Sequence, residues 1–225
     1  MIDPTYTTKI KARRKTHVKY YLCTDEEVLT EIQEEEQREQ EQREQEQRES
    51  VSRVPQTPPT NSLLIDRTQP FNPSTFIGEG WSFWKGPIDG NGLKGKAAQD
   101  ERSLVLSEVD LSQVRFETML KDGESSIRGE EKLERLKASG NIRLDAKILQ
   151  TLWENKHFIP ESWKERVNGN IRYIFFCGTE LRSSDGDRFL LCLYWGVGGW
   201  GWYYDWIGRG WGASYLLAGL VRPTS

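Results

Sequence analysis

Residues Leu193–Ala213 read LYWGVGGWGWYYDWIGRGWGA. Five of the nine tryptophans of the chain fall here: Trp195, Trp200, Trp202, Trp206 and Trp211, with Tyr194, Tyr203 and Tyr204 among them. Glycines fill most positions between the rings. Each glycine loses much backbone freedom on ordering, whereas each tryptophan can bury roughly 150–250 Å². The two tendencies agree if the rings are fixed anchors and the residues between them are free to vary. A plainer account is that short, tightly turned strands need both residue types and that every ring is core.

Working outward, Ile171–Leu181 and Arg188–Trp195 are apolar runs flanking Ser184-Asp185-Gly186-Asp187. Asp-Gly between such runs is a strong hairpin signal. With Asp185 and Gly186 as a two-residue loop, paired positions sum to about 371, setting Cys177 opposite Tyr194 and Cys192 opposite Thr179. The two thiols then lie diagonally, about 7–8 Å apart between backbones, wider than a relaxed disulfide prefers, so free core thiols are expected.

Upstream, GEEKLERLKA (129–138) places acids first and bases last, with Leu133 and Leu136 three apart, and Gly140 ends it as a short helix. Leu144, Ile148, Leu149, Leu152 and Trp153 trace one apolar face of a second helix, which Pro160 stops. Leu104–Leu106 reads as a short strand, and Val114–Leu120 as strand or helix. The run GNGLKG (90–95) lacks the Gly-Lys-Ser/Thr ending of a phosphate loop and its strand-to-helix setting.

The first third of the chain differs in kind. Residues 1–24 form a basic tail. Residues 25–50 carry a QREQE repeat, whose five-residue period advances about 500° around a helix, so no face recurs and no heptad seam forms. This is a lone charged helix or a disordered spacer. Residues 51–70, with four of the prolines at 55, 58, 59 and 70, read as an extended linker, and the globular domain is placed at 71–225.

The 225 residues carry a net charge of −3, with 36% hydrophobic and 29% charged residues. That balance does not suggest a nucleic-acid partner. No run of 18 apolar residues offers a membrane span and no secretory signal is visible, so a cytoplasmic location is the default expectation. Only two histidines are present, and neither pairs with cysteine at ligand spacing, so no metal site, cofactor or catalytic residue is expected and the chain does not read as an enzyme.

From about residue 71 to 213 the chain resembles the variable (target) proteins of diversity-generating retroelements, in particular the small versions of candidate-phyla bacteria. The matching words are FNPSTFIGEGWSFWKGP, SLVLSEVDLSQVRFETMLKDGESS, GEEKLERLK, IRLDAKILQTLWEN, IPESWKE, IFFCGTELR and the spaced tryptophans of the tail. In that family, error-prone reverse transcription alters template adenines and the copy replaces the 3′ end of the gene. Asparagine codons supply the adenines; the tryptophan codon has none. Gly196, Val197, Gly198, Gly201, Tyr203, Asp205, Gly208, Arg209, Gly210, Gly212, Ser214 and Tyr215 are all reachable from an asparagine codon by that route.

The resemblance implies an α+β, C-type-lectin-like domain, similar to formylglycine-generating enzymes, with two helices followed by antiparallel hairpins. It also implies a hypervariable binding surface for a variable macromolecular ligand, a protein by expectation, with the five tail tryptophans as scaffold. Tyr203, Tyr204, Asp205, Arg209 and Tyr215 would be its present contacts. A carbohydrate-binding module with stacking tryptophans is the alternative. Because successive strand residues face opposite sides, some variable positions are expected to be poorly exposed. The family's Pro-Ser-Ala-Val-Leu-Ala-Ser ending is replaced here by Leu216–Arg222, so an altered terminal strand is expected.

Overall fold

The computed structural model describes residues 61–221. The tail, the charged repeat and residues 51–60 of the expected linker lie outside them. In chain order the elements are β1 (Ser62–Leu64), α1 (Pro73–Phe76), β2 (Ser82–Phe83), α2 (Glu101–Leu104), β3 (Glu108–Asp110), β4 (Val114–Glu117) and β5 (Ser126–Arg128). There follow α3 (Gly129–Ser139), β6 (Ile142–Arg143), α4 (Ala146–Glu154), β7 (Tyr173–Arg182), β8 (Arg188–Gly196), β9 (Gly199–Trp206), β10 (Gly210–Gly212) and β11 (Tyr215–Leu220). The class is α+β, dominated by one sheet, β4-β11-β7-β8-β9, to which β2 and β6 attach. No helix among the described residues is long and apolar enough to cross a membrane.

Both expected helices form. In α3, Glu130 and Glu131 occupy the positive N-terminal turn, Lys137 the last turn, and Gly140 closes the end at φ 76°. Its buried side is Lys132, Leu133 and Leu136. The start of α4 is set by Asp145, whose carboxylate accepts from the backbone N–H groups of Lys147 (2.8 Å) and Ile148 (3.1 Å). Leu144 therefore lies just outside the helix, although it is fully buried with Ile148, Leu149 and Leu152.

Four expectations need correction. Residues 61–70 are not all linker: β1 pairs with β3, and Leu63 and Ile65 enter the core. Burial alternates there, with Leu63 and Ile65 inward and Leu64 outward. Leu104 ends a helical turn rather than starting a strand, because the Asp100 carboxylate caps that turn by accepting from the Arg102 N–H.

The third correction concerns the β7–β8 register. The Asp-Gly loop contains three residues, Ser184 to Gly186, with Ser183 bonded to Asp187 and Gly186 at φ 92°. This is a turn ending in a left-handed glycine, so Arg182 faces Arg188 and pairs sum to 370. Beyond it, residues 177–180 on β7 oppose only Leu190, and pairs then sum to 367, with Tyr173 opposite Tyr194 and Phe175 opposite Cys192. The bulge follows from close approach at Gly178. A Cβ there would stand 2.3 Å from the Arg143 carbonyl, and Gly178 bonds instead to Leu144 and Asp100. Both thiols are nonetheless free and buried.

Fourth, residues Tyr215–Leu220, where an altered ending was expected, form a regular strand. β11 runs through the middle of the sheet, antiparallel to β4 and parallel to β7. Leu216, Leu217 and Ala218 are buried.

Candidate functional site

β8 and β9 form a hairpin whose tip is Val197-Gly198, flanked by the paired Gly196 and Gly199. Gly198 (φ 97°) and Gly199 (φ 128°) sit in the left-handed region, which allows so tight a reversal. Val197 projects fully into solvent.

On one side of β9, Trp200, Trp202 and Tyr204 pack against the larger core, which also holds Ile148, Leu152, Leu191 and Leu193. Phe76 lies 4.7 Å from Trp202, and Trp81 4.5 Å from Tyr204, between ring centres. Tyr204 is thus packed on its inner side, while its half-buried ring also stacks on that of the exposed Tyr203 at 5.1 Å. The residue's alternation with Tyr203 places it on the inner face.

The other side of β9 presents Gly201, Tyr203 and Asp205, opposite Tyr194, Cys192 and Leu190 of β8. The register carries a row across four strands: Tyr215 pairs with Tyr173, Tyr173 with Tyr194, and Tyr194 with Gly201. Tyr173 lies 5.3 Å from Tyr215 and 5.6 Å from Tyr194 between ring centres. The Tyr194 ring covers Gly201, where a Cβ would fall 2.6 Å from Cζ. Beneath the row, Trp211 is fully buried and stacks on Phe175 at 4.1 Å.

Arg209 closes this face. It forms an ion pair with Asp205, donates from Nη2 to Tyr215 Oη at 2.8 Å, and places its guanidinium 5.5 Å from the Tyr215 ring centre. Desolvation opposes its charge, but the hydrogen bond and attraction of Asp205 prevail and hold the guanidinium above its ordinary pKa. Burial pushes the Tyr215 phenol up. Asp205 itself is buried, so it anchors Arg209 rather than facing a ligand.

Lys132 of α3 braces the same region from below. Its buried ammonium donates to the carbonyls of Gly212 (2.7 Å) and Tyr215 (2.8 Å). Burial lowers its pKa to about 8.

The expected variable positions therefore divide. Val197, Gly198, Tyr203, Arg209 and Gly210 are exposed; Gly196, Gly201, Gly208, Gly212, Ser214 and Tyr215 are partly covered. The tryptophans divide too. Trp211 belongs to the smaller core cluster, Trp200 and Trp202 are half-buried against the larger one on the other side of the sheet, and Trp195 is half-buried between Trp200 and the ammonium of Lys164. Trp206 departs from the scaffold expectation, being 43% exposed at the end of β9. Its ring folds over Gly208, where a Cβ would lie 2.4 Å from it.

Tyr173 and Lys132 belong to this region and were not anticipated. Tyr173 becomes a neighbour of Tyr194 only in the bulged register, and Lys132 looked like one base among several on a charged helix. Burial pushes the Cys177 thiol up to about 12 and Cys192 well above its usual range, so neither is a ready nucleophile. Among the described residues, no three His, Cys, Asp or Glu side chains cluster as metal ligands would. Comparison with protein-family models, with curated proteins and with solved structures gave no match.

Proposed function

We propose that this chain is a diversified ligand-binding protein with a C-type-lectin-like domain, of the kind that diversity-generating retroelements mutate. Its binding face is the outer side of β9 with the 207–215 turn, and its ligand is a protein. The observation that carries the reading is the division of β9. Trp200 and Trp202, whose codon contains no adenine, pack inward, while Tyr203, the residue after Trp202, is 52% exposed and within electrostatic reach of Arg209. Tyrosine and arginine give rigid contact area with hydrogen-bonding ends, as in antibody paratopes. The half-buried tyrosines at 173, 194 and 215 form a floor that substitution at Tyr203, Arg209 or Gly210 would leave in place.

Sequencing the 3′ end of the gene across a host population tests this directly. Substitutions confined to template adenines between codons 196 and 215, sparing the five tryptophans, are the expected result. Uniformly low variation at those codons would count against it. At the protein level, Tyr203→Ala should weaken ligand binding with the fold intact, whereas Trp202→Ala should unfold the domain. Equal loss of folding in both would remove the distinction.

The exposed ring of Trp206 favours one second reading, a carbohydrate-binding module. It predicts retention on glycan beads that Trp206→Ala abolishes.

A further inference from the structure

Away from the β9 face, a cleft of about 640 Å³ opens between the 67–85 segment, α2 and the start of α4. Its walls include Trp81 and Phe83, with Phe71 buried behind them. Its charged lining consists of Arg67, Lys85, Asp145 and Lys147.

These charges are not equivalent. Arg67 is largely committed, with four of its five N–H groups used: Nε donates to the Leu106 carbonyl (2.8 Å), Nη2 to the Ser103 carbonyl (2.8 Å), and both terminal nitrogens to Asp145 (3.2 and 2.9 Å). Asp145 is itself buried and also accepts from Ser103 Oγ at 2.7 Å. The pair is neutral and holds the floor in shape. Lys85 is exposed at the rim, where solvent screens it.

Lys147 is different. Its residue is only 8% exposed, yet its ammonium has no hydrogen-bond or ion-pair partner among the described residues. The Lys147 charge also acts weakly on Asp66, an exposed carboxylate held mainly by Thr68. The stem is buried while the unpartnered ammonium keeps contact with solvent in the cleft, so it is free to take an anionic partner there. Lys147 also follows Asp145 by two residues at the head of α4, so its backbone is fixed by the cap.

We propose that this cleft binds a small carboxylate on an apolar body, with Lys147 meeting the carboxylate and Trp81 and Phe83 flanking the body. A single negative charge suits the site. It would balance Lys147, whereas a dianion would stand beside the Asp145 carboxylate with one charge uncompensated. The carboxylate can come from a free acid or from the C-terminus of a peptide.

The test uses the full chain and calorimetric titration. Phenylacetate is compared with 2-phenylethanol, its neutral analogue, and glycyl-phenylalanine with its C-terminal amide. The expected result is that the acid binds at least ~10-fold more tightly than the alcohol. Lys147→Met keeps the buried stem and should abolish that preference with an unchanged or raised melting temperature; Lys147→Gln repeats the test with a different packing. If the free-carboxylate dipeptide outbinds phenylacetate, the natural source is a peptide end, and the reverse order points to a free acid. The opposing possibility is that Lys147 merely extends its head to water. Equal binding of acid and alcohol, no binding of either, or a preference that survives in Lys147→Met would each establish that and overturn the proposal.

Discussion

On the inner side of β9, Trp200, Trp202 and Tyr204 lie against Phe76, Trp81 and Phe189, and ring meets ring throughout. On the outer side, Gly201, Tyr203 and Asp205 meet one tyrosine ring, one buried thiol's strand position and one arginine. The residue types are similar on the two sides, and alternation sorts them except where the Tyr203 ring turns back to stack on Tyr204. The inner side draws its stability from area removed from water. The outer side draws on that same store at second hand, through Trp211 and Phe175 beneath it. A binding face can therefore change its exposed residues while the stacked pair below stays constant.

The largest effect should come from removing that support. Trp211 is fully buried in a mutual cluster with Phe175 (4.1 Å) and Tyr215 (5.6 Å), with its indole N–H unpartnered. Trp211→Ala should destabilise the domain by about 3–5 kcal/mol, read from urea unfolding. Trp211→Phe should lose much less, because it retains the stacking and removes an unsatisfied donor. A cost for Trp211→Ala below about 1 kcal/mol would mean the outer face does not rest on this ring.

Next comes Gly201. Any side chain there must displace the Tyr194 ring, so Gly201→Asn should destabilise by about 1–3 kcal/mol, as overpacking does. The cause is specific and separable. In Tyr194→Ala the same substitution should be nearly neutral, a coupling that a double-mutant cycle measures. Additive effects would show that the backbone, not the ring, limits the site.

A third test concerns the brace. Burial lowers Lys132 to about 8 from 10.5, so above pH 8 the unfolded chain binds this proton more strongly than the folded one. Stability should rise as pH passes from 8 to 9, by ~1 kcal/mol at most for one group. Above pH 9 the sign reverses. Two buried thiols then outweigh the one ammonium: Cys177, pushed to about 12 from 9.0, and Cys192, pushed well above its usual range, both keep their protons in the fold after the unfolded chain has lost them, and stability falls. The neutral amine still has two N–H groups for the carbonyls of Gly212 and Tyr215. Lys132→Met should abolish the rise and lower stability at every pH, since both carbonyls lose their donor. Melting temperatures across pH 7 to 10, in steps of about half a unit, decide it.

Much of this was legible beforehand, for reasons that differ by element. α3 announced itself through its charge order and terminal Gly140, and α4 through 3.6-residue periodicity, signals that depend only on local geometry. The hairpin signal at Asp185-Gly186 was equally local, but its register was not. That register depends on Gly178 touching the backbone of 143–145, a contact between segments more than thirty residues apart. Missing it hid Tyr173 from Tyr194 and hence the tyrosine row. β11 was obscured for the same kind of reason, because a parallel pairing with β7 leaves no short-range mark. Periodicity implied that β9 has two faces, but it could not say that Asp205 would be buried beneath Arg209.

The smallest effect sharpens the comparison most, because it tests tolerance rather than damage. Gly210 is exposed on β10, where it pairs with Arg128 of β5. The nearest atom to a Cβ there is Ser126 Oγ at 3.8 Å, an ordinary contact, and the backbone is not left-handed. Gly210→Asn should therefore change stability by no more than ~0.5 kcal/mol, and reduced freedom of the unfolded chain can make the change favourable. Val197→Asn, at the exposed tip, should behave alike. Gly198→Asn should not: its space is open, but φ 97° strains any other residue. Thermal unfolding of the three variants separates space from backbone as the limit on variation. If Gly210→Asn proves as damaging as Gly198→Asn, the outer face is no freer than the inner one, and diversification there would have to tolerate a loss of fold at each step.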